Sequence, residues 1–96
     1  MIYYIYHAKG GNFFGGVLPK HEYREVGIVE ANSFDEAYSK TQNIFNNWTH
    51  EKYVIQHAGE CRSTSVGDVI MDFMGRTMFV ENVGFSEINE DFTKKL

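Results

Sequence analysis

The run Ile2-Tyr3-Tyr4-Ile5-Tyr6 constrains this chain more than any other stretch. In an extended backbone successive side chains point to opposite faces, so Ile2, Tyr4 and Tyr6 share one side while Tyr3 and Ile5 share the other. Both sides are apolar, and every residue is β-branched or aromatic. Such a segment needs cover on both faces, which places residues 2–8 as a strand in the middle of a sheet.

Gly10-Gly11-Asn12-Phe13-Phe14-Gly15-Gly16 follows. Four glycines around two aromatic rings do not hold a regular element, so residues 10–20 are expected to form a flexible loop. Arg24 to Ala31 reads as a second strand, antiparallel to the first. Ser33-Phe34-Asp35-Glu36 then matches a capping box, in which Ser33 accepts from the amide of Glu36 and the Glu36 side chain reaches back to Ser33. Behind it Phe34, Ala37, Tyr38, Thr41, Ile44, Phe45 and Trp48 recur at three- and four-residue spacing. That stripe predicts an amphipathic helix over 34–47 lying on the sheet.

Short strands are expected at Tyr53–His57, Val69–Phe73 and Thr77–Val83, the last two as a hairpin around Met74-Gly75-Arg76. Phe85 and Ile88 are expected to anchor a final half-turn, and residues 89–96 to form a polar tail. The order β-β-α-β-β-β implies one α+β domain over 1–96, an antiparallel sheet with the helix on one face. A sheet edge near residues 53–57 or 77–83 could pair with a second copy as a homodimer.

Composition narrows the function classes. The net charge is −4, with nine Lys and Arg scattered along the chain. Nucleic-acid binders usually concentrate cations to displace counterions from phosphates, so direct nucleic-acid binding is disfavoured. Cys61 is the single cysteine. A secreted domain of this size usually carries disulfides, so a reducing, cytoplasmic location is expected. The apolar N-terminus has no basic flank and reads as a strand, not a signal peptide. No apolar run approaches the roughly 20 residues that span a bilayer, so no membrane association is expected.

Candidate chemistry is sparse. Phosphate loops lead into a helix N-terminus, whereas this glycine-rich loop joins two strands and contains no GK[ST]. Zinc sites usually show tight ligand pairs; among His50, His57 and Cys61 the His57-to-Cys61 spacing fits only loosely and no fourth ligand is evident, while His7 and His21 could approach each other across the first hairpin. Cys61 could pair with His57 as a nucleophile only if the loop folds them together, and Ser63 and Ser65 lack an elbow-type glycine context. No catalytic residue, metal or cofactor is therefore expected. Glu81, Glu87, Glu90 and Asp91, with Asp68 and Asp72, could form an acidic face suited to a basic protein groove, although a solvated face kept soluble by charge explains most of them better. Phe13 and Phe14 are the candidate aromatic anchors for a partner.

The segment Arg62-Ser63-Thr64-Ser65-Val66-Gly67-Asp68-Val69-Ile70, followed by Gly75-Arg76, Phe79-Val80 and Val83-Gly84-Phe85, resembles a pattern in small bacteriophage and mobile-element proteins, including YodL-like domains. There a serine-rich turn and a VGD step lead into a hairpin that ends on GF. The resemblance implies a phage or plasmid accessory gene and carries no catalytic residue with it. The leading expectation is a non-enzymatic accessory protein that binds and modulates a host protein, one form being an inhibitor of a nucleic-acid-targeting defence complex. The alternative is a small nucleic-acid or nucleotide-binding module using Arg62, Ser63, Ser65 and Arg76, since cations beside hydroxyl donors suit phosphate.

Overall fold

The structure, a computed structural model, describes residues 1–10 and 16–88. Its elements in chain order are β1 (Ile2–Ala8), β2 (Tyr23–Glu30), α1 (Phe34–Lys40), β3 (Val54–His57), β4 (Val69–Asp72), β5 (Thr77–Val80) and β6 (Phe85–Glu87). Short 3-10 turns lie at Lys20–Glu22 and Trp48–His50. Among the described residues the six strands form one sheet in the order β3-β2-β1-β4-β5-β6, antiparallel throughout. The fold is α+β, with one helix packed against an antiparallel sheet. Among the described residues no helix is long and apolar enough to cross a membrane.

β1 lies between β2 and β4 and is covered on both faces, as its two-sided apolar pattern requires. On the helix side Tyr3 and Ile5 join Val29, Ala37, Trp48 and Ile70 in the main core. Phe34 of α1 meets Tyr3 edge-on at 5.1 Å between ring centroids. On the opposite face Tyr6 and Ala8 pack with Tyr23, Val69 and Phe79, and Leu18 and Ile88 close over them. Burial of these rings on two sides of one strand is the main source of stability in a chain this small.

The helix differs from its expected length. It stops at Lys40, not at 47, and Ile44 and Phe45 are 74% and 95% exposed. Trp48, the last member of the expected stripe, reaches the core from a separate 3-10 turn. Polar side chains cause the break by competing for the helix's own carbonyls. Thr41 Oγ1 donates to the carbonyls of Ala37 and Tyr38, and Gln42 Nε2 donates to that of Tyr38. Only half of the capping box forms. Ser33 accepts from the Glu36 amide at 3.0 Å, but the Glu36 carboxylate turns to Lys40 and Asn32.

Two further corrections concern strands. Phe85 opens β6, paired Val80 to Phe85, instead of a half-turn, so the order is β-β-α-β-β-β-β. β5 ends at Val80 and lies inside the sheet, which makes β3 and β6 the edges. Of the expected 10–20 loop, only Gly10 and residues 16–20 are described. Leu18 there donates its amide to the Tyr23 hydroxyl and packs on the second core. Residues 11–15, with Phe13 and Phe14, and the tail 89–96 lie outside the described residues.

One close approach fixes how β2 meets the core. A Cβ on Gly27 would stand 2.7 Å from Trp48 Cη2, so the ring is accommodated only because position 27 has no side chain.

Candidate functional site

The segment 61–68 organises one end of the molecule. The Arg62 guanidinium grips Asp68 with both arms, Nη1 to Oδ2 at 2.6 Å and Nη2 to Oδ1 at 2.9 Å. The same guanidinium reaches the Ala8 carbonyl and the Ser65 hydroxyl. Asp68, 1% exposed, also accepts from the amides of Ala8 and Ser65. Gly67 has φ +93°, the left-handed conformation that lets the chain reverse between Ser65 and the buried carboxylate. Arg62, Ser65 and Asp68 therefore lock a loop onto the end of β1. Arg62 is further stabilised in its charged form, chiefly by hydrogen bonding to Asp68.

The other residues of the expected phosphate-binding set fall elsewhere. Ser63 Oγ accepts from the Asn43 amide at 2.7 Å. Arg76 sits beyond Asp72, which pairs with Tyr3 near the start of β1, whereas Val69 pairs with Tyr6 towards its end. Arg76 thus stands at the opposite end of the strands from Arg62, where its Nη2 meets Glu87 at 3.3 Å. The fold brings Arg62, Ser63 and Ser65 into one segment and keeps Arg76 out of it.

Residues 42–47 form a turn pinned to this segment from both sides. Asn43 Oδ1 accepts from the Trp48 amide at 2.7 Å, and its Nδ2 donates to the Cys61 carbonyl at 3.0 Å. Asn47 Nδ2 donates to the same carbonyl at 2.9 Å, Gln42 Nε2 reaches the Thr64 carbonyl at 2.8 Å, and the Trp48 indole donates to that of Arg62. Between the two asparagines, Ile44 and Phe45 project into solvent. The helical period counts these two residues as core. The counter-signal in the sequence is the amide run around them, Gln42-Asn43 and Asn46-Asn47, which favours local hydrogen bonding over helix.

On the other side of residues 60–62 a cleft of about 450 Å³ is lined by His7, Ala8, Lys9, Arg24, Glu60, Cys61 and Arg62. His7 is 5% exposed; its Nε2 lies 3.0 Å from Thr64 Oγ1 and 3.9 Å from Asp68 Oδ2, and its ring packs edge-on against Trp48. Burial pushes its pKa down to about 4, outweighing the attraction of Asp68 and reinforced by Arg62 and Arg24. The ring is thus neutral at pH 7. The Cys61 thiol is buried and donates to the Gly59 carbonyl. Lys9 and Arg24 belong to this cleft through the register of the first hairpin, which sets Arg24 directly across from His7.

The remaining candidates are dispersed. His57 Nδ1 accepts from the Gly59 amide on the exposed β3 edge, His50 meets Glu60 at 2.6 Å, and His21 is exposed beside Glu22. Among the described residues no three His, Cys, Asp or Glu side chains gather as metal ligands. Of the six residues expected to form an acidic face, four are described. Asp68 is buried, Asp72 Oδ1 caps the hairpin amides of Met74 and Arg76, Glu81 accepts from Ser86, and Glu87 meets Arg76. Glu90 and Asp91 lie outside the described residues. Comparison with family models, with curated proteins and with solved structures finds no match for this chain.

Proposed function

We propose that this domain is a non-enzymatic accessory protein that binds and modulates a host protein, with the Ile44–Phe45 turn as its anchor. The observation that carries the reading is the pairing of exposure with rigidity. Two adjacent apolar side chains stand 74% and 95% exposed on a backbone held by hydrogen bonds at both ends. A backbone that is already ordered loses little entropy on binding, which favours the side chains it presents as interface anchors. The phage or mobile-element setting comes from the resemblance of residues 62–85. The proposal rests on the apolar turn and not on imitation of nucleic acid by the acidic residues.

The test begins with a pull-down from lysate of a bacterial host, with and without nuclease, to name a partner. The affinity of that partner is then measured for the parent and for Ile44→Ser with Phe45→Ser. Loss of a hot-spot pair should weaken binding roughly 30-fold or more. Unchanged affinity would exclude the turn, and the double variant Phe13→Ala with Phe14→Ala then tests the glycine-rich segment in the same assay.

A further inference from the structure

We infer that the cleft between the end of β1, the start of β2 and residues 60–62 is a binding site for a small phosphate-bearing ligand, with Lys9 and Arg24 as its cationic contacts. This site is separate from the apolar turn, and its test does not depend on a protein partner.

In a chain of net charge −4, three cations from three different segments line one concavity. Arg62 is paired with Asp68, whereas Lys9 and Arg24 have no carboxylate partner among the described residues. Asp68 is held by Arg62 and by the amides of Ala8 and Ser65. Glu60 lines the same cleft and is hydrogen-bonded to His50 at 2.6 Å. Glu25 follows Arg24 in sequence, but strand alternation sends it across from Tyr6, to the other face of the sheet, where burial first and the Glu25 charge second raise the Tyr6 pKa. Glu22 lies beside His21. Lys9 and Arg24 consequently make no ion pair among the described residues.

The geometry suits phosphate better than a smaller anion. A guanidinium matches two phosphate oxygens with parallel donors, and a lysine adds a mobile point charge. Arg24 supplies that guanidinium and Lys9 the ammonium, while Arg62 is spent on Asp68 and forms part of the wall. The volume, about 450 Å³, exceeds what a halide fills and accommodates a phosphate on a small organic group. His7 lines the wall as a neutral ring whose Nε2 is occupied by Thr64, which leaves Nδ1 with no partner among the described residues. It supplies a hydrogen-bonding position without adding charge.

The experiment is a two-dimensional amide NMR titration of the full chain with inorganic phosphate, glycerol phosphate, AMP and a single-stranded oligonucleotide, each against chloride at matched ionic strength. Saturable shifts at Lys9, Arg24 and Cys61 are expected. The variant Lys9→Gln with Arg24→Gln, both exposed positions, should keep the parent spectrum elsewhere and bind at least about tenfold more weakly. Arg62 is left in place because it holds Asp68. Tighter binding of glycerol phosphate or AMP than of phosphate assigns the site to an organic phosphate; equal binding assigns it to the free ion. Shifts no larger than those from chloride, or a double variant that binds like the parent, would overturn the proposal. So would binding confined to the oligonucleotide, which would make the cleft a nucleic-acid contact.

Discussion

Arg62 and Asp68 form a two-armed ion pair in which one partner is 43% exposed at its side chain and the other only 1%. The asymmetry decides what each contributes. Asp68 carries the burial cost, while Arg62 closes the site from the solvent side and keeps that charge compensated.

Removing Arg62 should therefore be costly, because it strands a buried carboxylate. Arg62→Met is expected to lower stability by about 2–3 kcal/mol, somewhat less than breaking a fully enclosed pair, since water can enter where the guanidinium lay. Arg62→Lys should recover only part of the loss, because an ammonium cannot donate with two parallel arms. Urea denaturation measures both. A loss below about 0.5 kcal/mol for Arg62→Met would show the pair to be an ordinary surface one.

A second prediction concerns acid. His7 has its pKa lowered to about 4 in the folded state, chiefly by burial, against an ordinary value of 6.5. Between those values the unfolded chain binds a proton that the folded chain refuses, so stability falls as pH falls from about 6.5 towards 4. Below about 4 both states are protonated and this contribution no longer changes. The shift corresponds to roughly 3 kcal/mol. Unfolding free energies measured across that window should decline less steeply for His7→Gln than for the parent. Parallel curves would mean that the ring protonates freely in the folded protein.

Much of this arrangement is legible in the sequence. The two-sided apolar run of β1 implies its place inside the sheet because no other location satisfies both faces. Ser33 announces the helix start through its hydroxyl. The helix end was not legible from periodicity, since Ile44, Phe45 and Trp48 continue the three-and-four spacing while Thr41 and Gln42 terminate the hydrogen bonding. The cleft was hidden for a different reason. Lys9, Arg24 and Arg62 become neighbours only through the register of β1 against β2 and the folding back of residues 61–68, and neither has a local signature. Arg62 itself was visible as chemistry, but its partner was Asp68 six residues on and not an external phosphate.

Gly27 offers a direct check on the packing of Trp48. Gly27→Ala would put a methyl group 2.7 Å from the indole, which is 0% exposed and has no room to retreat. The expected cost is about 1–3 kcal/mol for overpacking. Gly10→Ala, with nothing within 4 Å of its added Cβ, is the neutral control. Thermal unfolding of the two variants with tryptophan fluorescence as the probe separates them. Equal midpoints would mean that the indole shifts aside without penalty.

Asn43 tests whether rigidity, and not only exposed area, gives the Ile44–Phe45 turn its binding role. Its side chain joins the Trp48 amide to the Cys61 carbonyl and touches neither apolar side chain through any hydrogen bond. Asn43→Ala leaves Ile44 and Phe45 in place but releases one end of the turn. Loss of the two bonds is expected to cost about 1–2 kcal/mol of stability. If the partner recognises an ordered turn, its affinity should also fall severalfold, because the ordering must then be supplied on binding. Amide hydrogen exchange at residues 44–46 measures the loosening independently of the partner. Faster exchange with unchanged affinity would show that the partner reads the two side chains without regard to the backbone that presents them, whereas faster exchange with weaker binding identifies the asparagine clamp as part of the recognition surface.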